Sequence, residues 1–333
     1  MSDRDQGALA AQDHGRMAYG LSPYRTGESS PRADRVANQR VAVVINPVAG
    51  NGRGLRALPA VGAALAAAGV PSDIHVTTAA GDATQVSARF ARDGFDLIIA
   101  VGGDGTVNEV ANGLLDAGGG ATLGVVAAGR GADFARNLGI PRPIGAAVAR
   151  ALAGPARTID IGLVTFADGT SRCFVNAAGL GFDAAATERA AGSRLPGSTL
   201  PYLHGIFGAL AGYRNLEVAI VADGVPVAGL VCLALVANGP CFGGGMRIAP
   251  GALLDDGLLD LAIVGDVSRR ELLRNLPGIY RGRHAHHPAF THLRARSIRI
   301  ETPTPARLQI DGDLIGATPV GITIRSSVLR VVA

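Results

Sequence analysis

The chain has 333 residues, which is enough for two domains that each bury a core. All 31 of its basic residues are arginine, and the absence of lysine excludes Walker A nucleotide-binding proteins, protein kinases and pyridoxal-phosphate enzymes. A net charge of only +4 gives no broad basic surface for nucleic acid, and no apolar run reaches the roughly 18 residues of a membrane span.

Residues 1–38 are polar and rich in Gly, Ser, Asp and Arg, which predicts a disordered tail. This start also lacks the basic-then-apolar order of a secretory signal. The three cysteines, Cys173, Cys232 and Cys241, have no paired spacing. Together these features favour a soluble cytoplasmic protein with reduced thiols and no structural zinc.

Strand, glycine-rich turn and helix follow one another three times between residues 39 and 155. The strands are short apolar runs, at 41–45, 97–101 and 122–126. A further strand is predicted over 73–78, and helices are predicted over 55–68, over 82–90 and from residue 107 onward. Such alternation is typical of a parallel sheet with right-handed crossovers.

The three glycine turns cover residues 46–54, 102–106 and 129–136. Because parallel strands end at the same edge of a sheet, we expect the turns to lie together there, with Asp104 between glycines where a strand meets a helix. Any one turn could simply be a tight connection with a capping aspartate. Three turns along one edge instead predict a rim that binds phosphate.

From residue 158 the pattern changes to short alternating segments, typical of an antiparallel β-sandwich. Hairpins are predicted around Asp168-Gly169 and Asp223-Gly224, and a helix from the capping box at Ser268 to a stop near Pro277. Further strands are predicted over 258–264, 296–301, 307–310 and 320–324. The predicted division is a tail at 1–38, an α/β domain at 39–155, a sandwich at 156–320 and a C-terminal segment at 321–333.

The turn motifs, taken in order, resemble the diacylglycerol kinase catalytic-domain family. They are Asn46 with Gly50-Asn51-Gly52, Gly102-Gly103-Asp104-Gly105-Thr106 with Asn108-Glu109, and Gly129 with Asp133-Phe134-Ala135-Arg136. The likeness continues in Gly179-Leu180-Gly181-Phe182-Asp183, in Asp255 to Asp260 and in Asp311-Gly312-Asp313. The family includes bacterial lipid kinases and sphingosine kinases, and its first domain is similar to NAD kinase and phosphofructokinase.

The resemblance implies an α/β domain with a parallel sheet, followed by a mainly antiparallel β-sandwich whose last segment returns to the first domain. It also implies transfer of a phosphoryl group from ATP, with Mg²⁺, to a lipid hydroxyl, with a diacylglycerol-like lipid favoured. The nucleotide contacts that it implies are Asn46, Thr77, Gly103, Asp104, Gly105, Thr106, Val107, Asn108, Glu109, Gly129, Arg130 and Asp133.

Asp313 stands where the family has the acidic general base at the end of a DGE turn, and Asp104 competes with it for that role. The side chain of aspartate is one methylene shorter than that of glutamate, so its reach matters. The family also holds a structural Mg²⁺, which here would use the carboxylate of Asp256 and the carbonyls of Leu253 and Leu258.

The third turn departs from the family pattern Gly-Thr-x-Asn-Asp-Phe, because it reads Gly129-Arg130-Gly131-Ala132-Asp133-Phe134. Arg130 either faces a phosphate or pairs with Asp133 or Asp104. Three hypotheses therefore stay open: a diacylglycerol kinase-like enzyme, a kinase for a sphingoid, ceramide-type or NAD-like hydroxyl, and a nucleotide-binding regulatory protein with weakened catalysis.

The implied partner is a lipid at the membrane surface, with peripheral contact at the inner face, and a homodimer is left open. Composition alone suggests that residues 205–210 bury the lipid. Residues 281–299 carry His284, His286, His287 and His292 among arginines, which favours a solvated loop or a surface that leans on anionic lipid.

Overall fold

The computed structural model describes residues 39–191, 205, 208–210 and 212–333. The predicted tail at 1–38 lies outside the described residues, as does part of the stretch 205–210. Ala209 and Leu210, which are described, are buried in an apolar cluster with Phe182 and Ala186.

A parallel sheet forms the N-terminal half, as the sequence predicts. Its strands are β1 (Val41–Ile45), β2 (Ser72–Val76), β3 (Leu97–Gly102) and β4 (Thr122–Ala127). They are hydrogen-bonded in the order β4-β3-β1-β2, all parallel. Every residue of β1 and β3 is buried, which explains why both strands are unbroken apolar runs.

Helices connect these strands and cover the sheet. They are α1 (Ala49–Ala67), α2 (Asp82–Arg92), α3 (Asp104–Asp116), α4 (Asp133–Asn137) and α5 (Ile144–Ala153). Helix α1 begins six residues before its predicted start at 55, but residues 50–52 within it have non-helical backbone. The regular part of the helix therefore begins close to where the periodicity predicts.

The C-terminal half is built mainly of antiparallel strands. Both predicted hairpins are confirmed: β5 (Ala156–Phe166) pairs with β6 (Ser171–Phe174), and β8 (Leu216–Ala222) pairs with β9 (Val225–Ala237). Asp223 and Gly224 have φ of 44° and 87°, the backbone that a tight hairpin turn requires. The other elements are β7 (Ala177–Gly181), α6 (Phe182–Ala191), β10 (Leu259–Gly265), α7 (Arg269–Ile279), a 3₁₀ turn (Arg283–His286), β11 (Phe290–Ala295), β12 (Ser297–Glu301), β13 (Arg307–Ile310), β14 (Asp313–Ala317) and β15 (Val320–Val332).

Helix α7 confirms the predicted capping box, since Ser268 and Glu271 each accept a hydrogen bond from the other's N–H. The predicted stop near Pro277 is two residues too early. Leu276 and Ile279 pack against an apolar cluster beneath the helix, and this packing holds the last turn beyond the proline.

The last strand joins the two halves. Strand β15 pairs with β5 along most of its length and with β12 over its first part, while Val331 also pairs in parallel with Leu123 of β4. One hydrogen-bonded sheet therefore runs through both halves, and Val331 lies in the core of the first. The exact domain boundaries stay a prediction.

Candidate active site

The three glycine turns meet at the carboxyl end of the parallel strands. A Cβ atom on Gly129 would lie 2.2 Å from the Cα of Gly103, and one on Gly50 would lie 2.2 Å from the carbonyl oxygen of Ala128. Only glycine allows backbones to approach this closely. The parallel topology predicts this convergence, and the structure has the turns in direct contact.

Two arginines link the first turn to the third. Arg53 donates to the carbonyl oxygen of Gly129, and Arg130 donates to Oδ1 of Asn51, a residue in left-handed backbone at φ 60°. Arg130 thus pairs with neither Asp133 nor Asp104, the two acids that the sequence offered as partners. Both guanidinium groups belong to exposed residues, so they bring positive charge to the rim.

Asp104 is the first residue of α3 and accepts a hydrogen bond from the N–H of Phe134 at 3.0 Å through Oδ1. Its other oxygen, Oδ2, lies 2.9 Å from the place that a Cβ atom on Gly131 would take. The surrounding protein, and then the charge of Asp133, raise the pKa of Asp104 to about 7. This oxygen donor, in a negative environment and with space kept open by a glycine, fits a Mg²⁺ ion.

Asp133 fastens the rim to the second half of the chain. Its side chain is buried and accepts hydrogen bonds from the N–H groups of Gly244 and Gly245, both at 2.7 Å, and from Arg136. The sequence predicts a nucleotide contact here. The structure instead uses both carboxylate oxygens to hold a loop, so Asp133 positions the rim.

Asp313 reaches the rim from the β-rich half. It follows Asp311 and Gly312, whose φ angles of 47° and 95° form the tight turn between β13 and β14. Its Oδ2 lies 3.2 Å from the position that a Cβ atom on Gly105 would occupy, in the first turn of α3. Asp313 is an exposed residue, but desolvation by the surrounding protein raises the pKa of its carboxyl, while the charge of Arg172 acts in the opposite direction.

Asp311 holds the turn that carries Asp313. It is 2% exposed and accepts four hydrogen bonds of 2.7 to 2.9 Å. Three donors are the N–H groups of Val175, Asn176 and Ala177, and the fourth is the amide of Asn108. Four donors on one carboxylate fix the turn against the core.

Asn108 belongs to this buried network and does not face the rim. Its amide nitrogen donates to Cys173 and Asp311, both at 2.8 Å, and its oxygen accepts from Arg172 at 2.6 Å. The sequence predicts a nucleotide contact at this position. Its amide group is committed to protein partners, so the side chain links α3 to the Asp311 turn.

The remaining predicted nucleotide residues lie at or beneath the rim. Asn46 donates to Thr106 Oγ1 at 3.0 Å and so ties the first turn to α3, and Glu109 accepts from the N–H of Gly81 at 3.0 Å. Thr77 is buried at the end of β2, and Val107 is buried in the core. Only the backbone of Val107 remains for a ligand.

Of the residues predicted to hold a structural Mg²⁺, Asp256 has a carboxylate that already has protein partners. Oδ1 of Asp256 accepts from the N–H of Leu258 at 3.1 Å, and Oδ2 accepts from the guanidinium of Arg294. Both oxygens therefore have partners, one of them a cation that already neutralises the carboxylate. Leu253 is exposed. Within the described ranges no group of three or more metal-ligating side chains is found here or elsewhere.

A narrow apolar cavity of about 50 Å³ lies in the β-rich half, between α6, β9 and α7. Its walls are formed by Phe182, Asp183, Ala186, Cys232, Leu233, Phe242, Met246, Ile248, Val264, Leu272, Leu276 and Ile279. Asp183 is the one acid among them. The cavity borders the cluster that contains Ala209 and Leu210, part of the stretch expected to bury lipid.

Asp183 is 8% exposed, and neither of its carboxylate oxygens makes a hydrogen bond of full geometry within the described residues, although the N–H of Ala184 and the amide of Gln309 lie near enough to lower its pKa. Burial raises the pKa of Asp183 to about 7. Near neutral pH a large share of this group is therefore the neutral acid. In that form it can donate one hydrogen bond to a polar atom in the cavity.

Both halves of the chain are similar to known proteins. Residues 40–164 match the diacylglycerol kinase catalytic domain, and residues 176–333 match the YegS C-terminal NAD kinase beta sandwich-like domain. A diacylglycerol kinase of Bacillus subtilis (strain 168) is 35% identical over 84% of this chain and 92% of its own length. This chain belongs to the diacylglycerol kinase family.

Two further comparisons agree with that membership. A diacylglycerol kinase of Mycobacterium tuberculosis is 32% identical over 88% of this chain and 94% of its own. The crystal structure of a diacylglycerol kinase from Bacillus anthracis superposes with a TM-score of 0.68 at 26% identity, covering 88% of this chain and 96% of the other.

Membership in the diacylglycerol kinase family makes the chain a phosphotransferase with an alcohol group as acceptor. A kinase of this family uses ATP as the phosphoryl donor. Among the helices of the described residues, none has both the length and the hydropathy needed to cross a bilayer.

The departure from the diacylglycerol kinase family pattern falls on a strained residue. Ala132 precedes α4 with φ 53° and ψ 40°, a left-handed conformation that alanine adopts at a cost. Asparagine, which the family commonly has at this place, adopts it more readily. The chain thus has a left-handed residue here without an amide side chain.

Three site residues are not predicted by the sequence patterns: Arg53, Asp183 and Asp311, which positions the turn that carries Asp313. Asp183 and Asp311 stand in the quoted family motifs, but only Asp313 received a role from its turn. An aspartate opening a tight turn, followed by glycine, was the available signal for Asp311. Nothing in the local sequence shows that the partners of Asp311 lie some 135 residues earlier.

Proposed function

We propose that this chain transfers the γ-phosphoryl group of ATP, with Mg²⁺, to the hydroxyl group of a diacylglycerol-like lipid. The observation that carries the proposal is the position of the Asp313 carboxylate beside Gly105, at the start of the helix that follows the central glycine turn. The names of the relatives support the substrate class.

The rim supplies the groups that a triphosphate needs in a chain without lysine. The first turn of α3 leaves N–H groups without helical partners, and these suit anionic oxygens. Arg53 and Arg130 add two guanidinium groups at the mouth. We place the phosphates of the nucleotide between the three turns, where backbone donors and arginine charge replace an ammonium group.

Asp104 is the residue that would hold Mg²⁺. When bound, this ion supplies positive charge to the phosphate oxygens. Asp104 would hold the ion in its ionised form, and the positive charge beside it would lower its raised pKa. Gly131 leaves the space beside the carboxylate that a ligand requires.

Asp313 serves as the general base. The lipid hydroxyl oxygen forms a bond to the γ-phosphorus as the bond to the bridging β–γ oxygen breaks, so ADP leaves and the hydroxyl proton passes to Asp313. Desolvation by the surrounding protein raises the pKa of this carboxyl, which makes it a stronger base. Asp311 and Asn108 hold its turn in place.

The apolar cavity supports a lipid as the acceptor. Its lining is hydrophobic apart from Asp183, and it belongs to the same half of the chain as Asp313. We assign the cavity to part of an acyl chain, and the neutral Asp183 to a hydrogen bond with an ester or hydroxyl oxygen of the lipid. Since about 50 Å³ holds only a few methylene groups, its walls must separate to take a chain.

The test is transfer of label from γ-labelled ATP to a lipid extract by the full-length chain, with the product identified by mass. A phosphorylated diacylglycerol is expected. If the main product were a labelled sphingoid base, ceramide or dinucleotide, the proposed substrate would be wrong and the proposed phosphoryl transfer would stand. No labelled product with saturating lipid, ATP and Mg²⁺ would contradict the proposal.

One observation favours a second candidate, a nucleotide-binding regulatory protein with weakened catalysis. Ala132 offers no polar side chain where the family commonly has asparagine, so one contact with the nucleotide is lost. This candidate predicts that ATP binds in a calorimetric titration, while no lipid is phosphorylated in the labelling experiment.

A further inference from the structure

Helix α7 has two faces of opposite chemistry. Leu272, Leu276 and Ile279 line the apolar cavity, at the i, i+4 and i+7 spacing of one helix face. On the opposite side Arg270, Leu273 and Arg274 are exposed. Among the residues of this helix none is fully buried, so α7 is a thin wall between the cavity and the surface.

The exposed side continues beyond the helix. Tyr280, Arg281 and Arg283 follow, and all three are exposed. We call the surface formed by Arg270, Leu273, Arg274, Tyr280, Arg281 and Arg283 the α7 face.

The segment that contains the α7 face carries a high positive charge. Residues 267–289 hold five arginines and one glutamate, a formal net charge of +4 that equals the net charge of the whole chain. Glu271, the single acid, is paired with His287 at 3.2 Å. Within the described residues, the four arginines of the α7 face have no acidic partner, so their charges are available to another molecule.

Apolar groups stand between these charges. Leu273 is 41% exposed and Tyr280 is 42% exposed, and both lie on the surface that carries the arginines. A basic face with an exposed leucine and tyrosine is suited to the boundary between lipid headgroups and acyl chains. The phosphate backbone of RNA would meet the arginines equally well, but it offers no apolar layer for Leu273.

We infer that the α7 face docks on the surface of an anionic lipid bilayer. Docking would put the thin wall of the apolar cavity against the membrane. The binding itself follows from charge and exposure alone. Only its purpose, the passage of a lipid from the bilayer into the cavity, rests on the proposed function.

The test uses the full-length chain and sedimentation with vesicles of phosphatidylcholine, with or without phosphatidylglycerol. We expect binding to the anionic vesicles, weakening as salt is added, and little binding to pure phosphatidylcholine. In the double variant Arg270→Glu/Arg274→Glu, the affinity for anionic vesicles should fall by about 25-fold or more, since each basic residue near such a surface contributes about fivefold and two are lost.

The matched control is Arg89→Glu/Arg92→Glu, which reverses the same amount of charge at exposed positions on α2. This variant should keep its affinity for the vesicles. Leu273→Asn should weaken vesicle binding without any change of charge. Equal loss of binding in both double variants, or unchanged binding in Arg270→Glu/Arg274→Glu, would overturn the inference, as would binding to RNA in the absence of binding to vesicles.

Phosphorylation of a short-chain diacylglycerol dispersed in solution separates this inference from the proposed function. Arg270→Glu/Arg274→Glu should keep its rate on the dispersed lipid and lose rate on the same lipid in anionic vesicles. If the wild-type chain binds vesicles through the α7 face but phosphorylates neither lipid, the docking surface stands and the proposed function fails.

Discussion

The carboxylate of Asp313 lies against Gly105, although the two residues come from opposite halves of the chain. Oδ2 of Asp313 is 3.2 Å from the place of a Cβ atom on Gly105. The shorter side chain of aspartate therefore reaches the first turn of α3. The tight turn at Asp311-Gly312 and the four hydrogen bonds to Asp311 set that position.

This contact makes Gly105→Ala a selective test. The added methyl group crowds the Asp313 carboxylate, so kcat should fall by about tenfold, as expected when a general base is displaced slightly. Stability should not fall, because alanine favours a helix over glycine by about 1 kcal/mol. Steady-state kinetics and urea unfolding measure the two effects.

Gly145→Ala is the matched control for that variant. Gly145 is also the second residue of its helix, and a Cβ atom there would meet nothing within 4 Å. It should gain stability with no change of kcat. If Gly145→Ala slowed the enzyme as much as Gly105→Ala, crowding of Asp313 could not be the cause.

Asp311→Asn should cost both stability and activity. Asparagine has one acceptor oxygen, so its NH₂ group would face N–H donors of residues 175–177. Loss of buried hydrogen bonds at one site is expected to lower the free energy of unfolding by about 3 kcal/mol. Urea unfolding measures this loss, and a change below about 0.5 kcal/mol would argue against the network.

At Ala132 a substitution is expected to raise the stability of the fold. Ala132→Gly relieves the left-handed strain at φ 53° and should stabilise the fold by about 1 kcal/mol. Ala132→Asn should relieve part of the strain and also restore the amide, so it alone should lower the KM for ATP. If both variants lowered KM equally, backbone relief would explain the effect and the amide would have no role.

The buried acid of the cavity predicts a pH dependence. Asp183 has a pKa of about 7, raised from 3.8 by burial, so the folded state binds this proton more tightly than the unfolded chain. Its contribution to stability therefore falls as the pH rises from 3.8 to about 7, and stays low above that.

Asp183→Asn mimics the neutral acid at every pH. The variant should match the wild type near about pH 4 and be more stable than it near about pH 8, by at most about 4 kcal/mol. Urea unfolding across this range measures the difference. If the difference in stability between Asp183→Asn and the wild type were the same near about pH 4 and about pH 8, Asp183 would have an ordinary pKa.

The parallel sheet could be predicted because its signal is local. The strands Val41–Ile45 and Leu97–Gly102 are buried on both sides, so each is an unbroken apolar run that ends where the glycines begin. Convergence of the turns follows from topology alone. By contrast, strands β11 and β14 escaped prediction, since Phe290–Ala295 is largely solvent-accessible and Asp313–Ala317 is short and includes a glycine.

The roles of individual polar residues depend on distant partners, and the sequence does not show these. Asp133 accepts hydrogen bonds from the N–H groups of Gly244 and Gly245, more than 110 residues away. Asn108 donates a hydrogen bond to Asp311, about 200 residues away. The sequence motifs therefore located the site. They did not distinguish the residues at the glycine turns from the buried residues that hold these turns in position. Arg294 likewise donates a hydrogen bond to Asp256, for which the resemblance implies a metal ion.

The central claim is that Asp313 takes the proton of a lipid hydroxyl at the glycine rim. Labelled phosphoryl transfer from ATP to diacylglycerol by Asp313→Asn tests it most directly, with Asp93→Asn, an exposed aspartate after α2, as the control. The account predicts a rate at least about a hundredfold below wild type for Asp313→Asn, and an unchanged rate for the control. Near-normal transfer by a folded Asp313→Asn would contradict it.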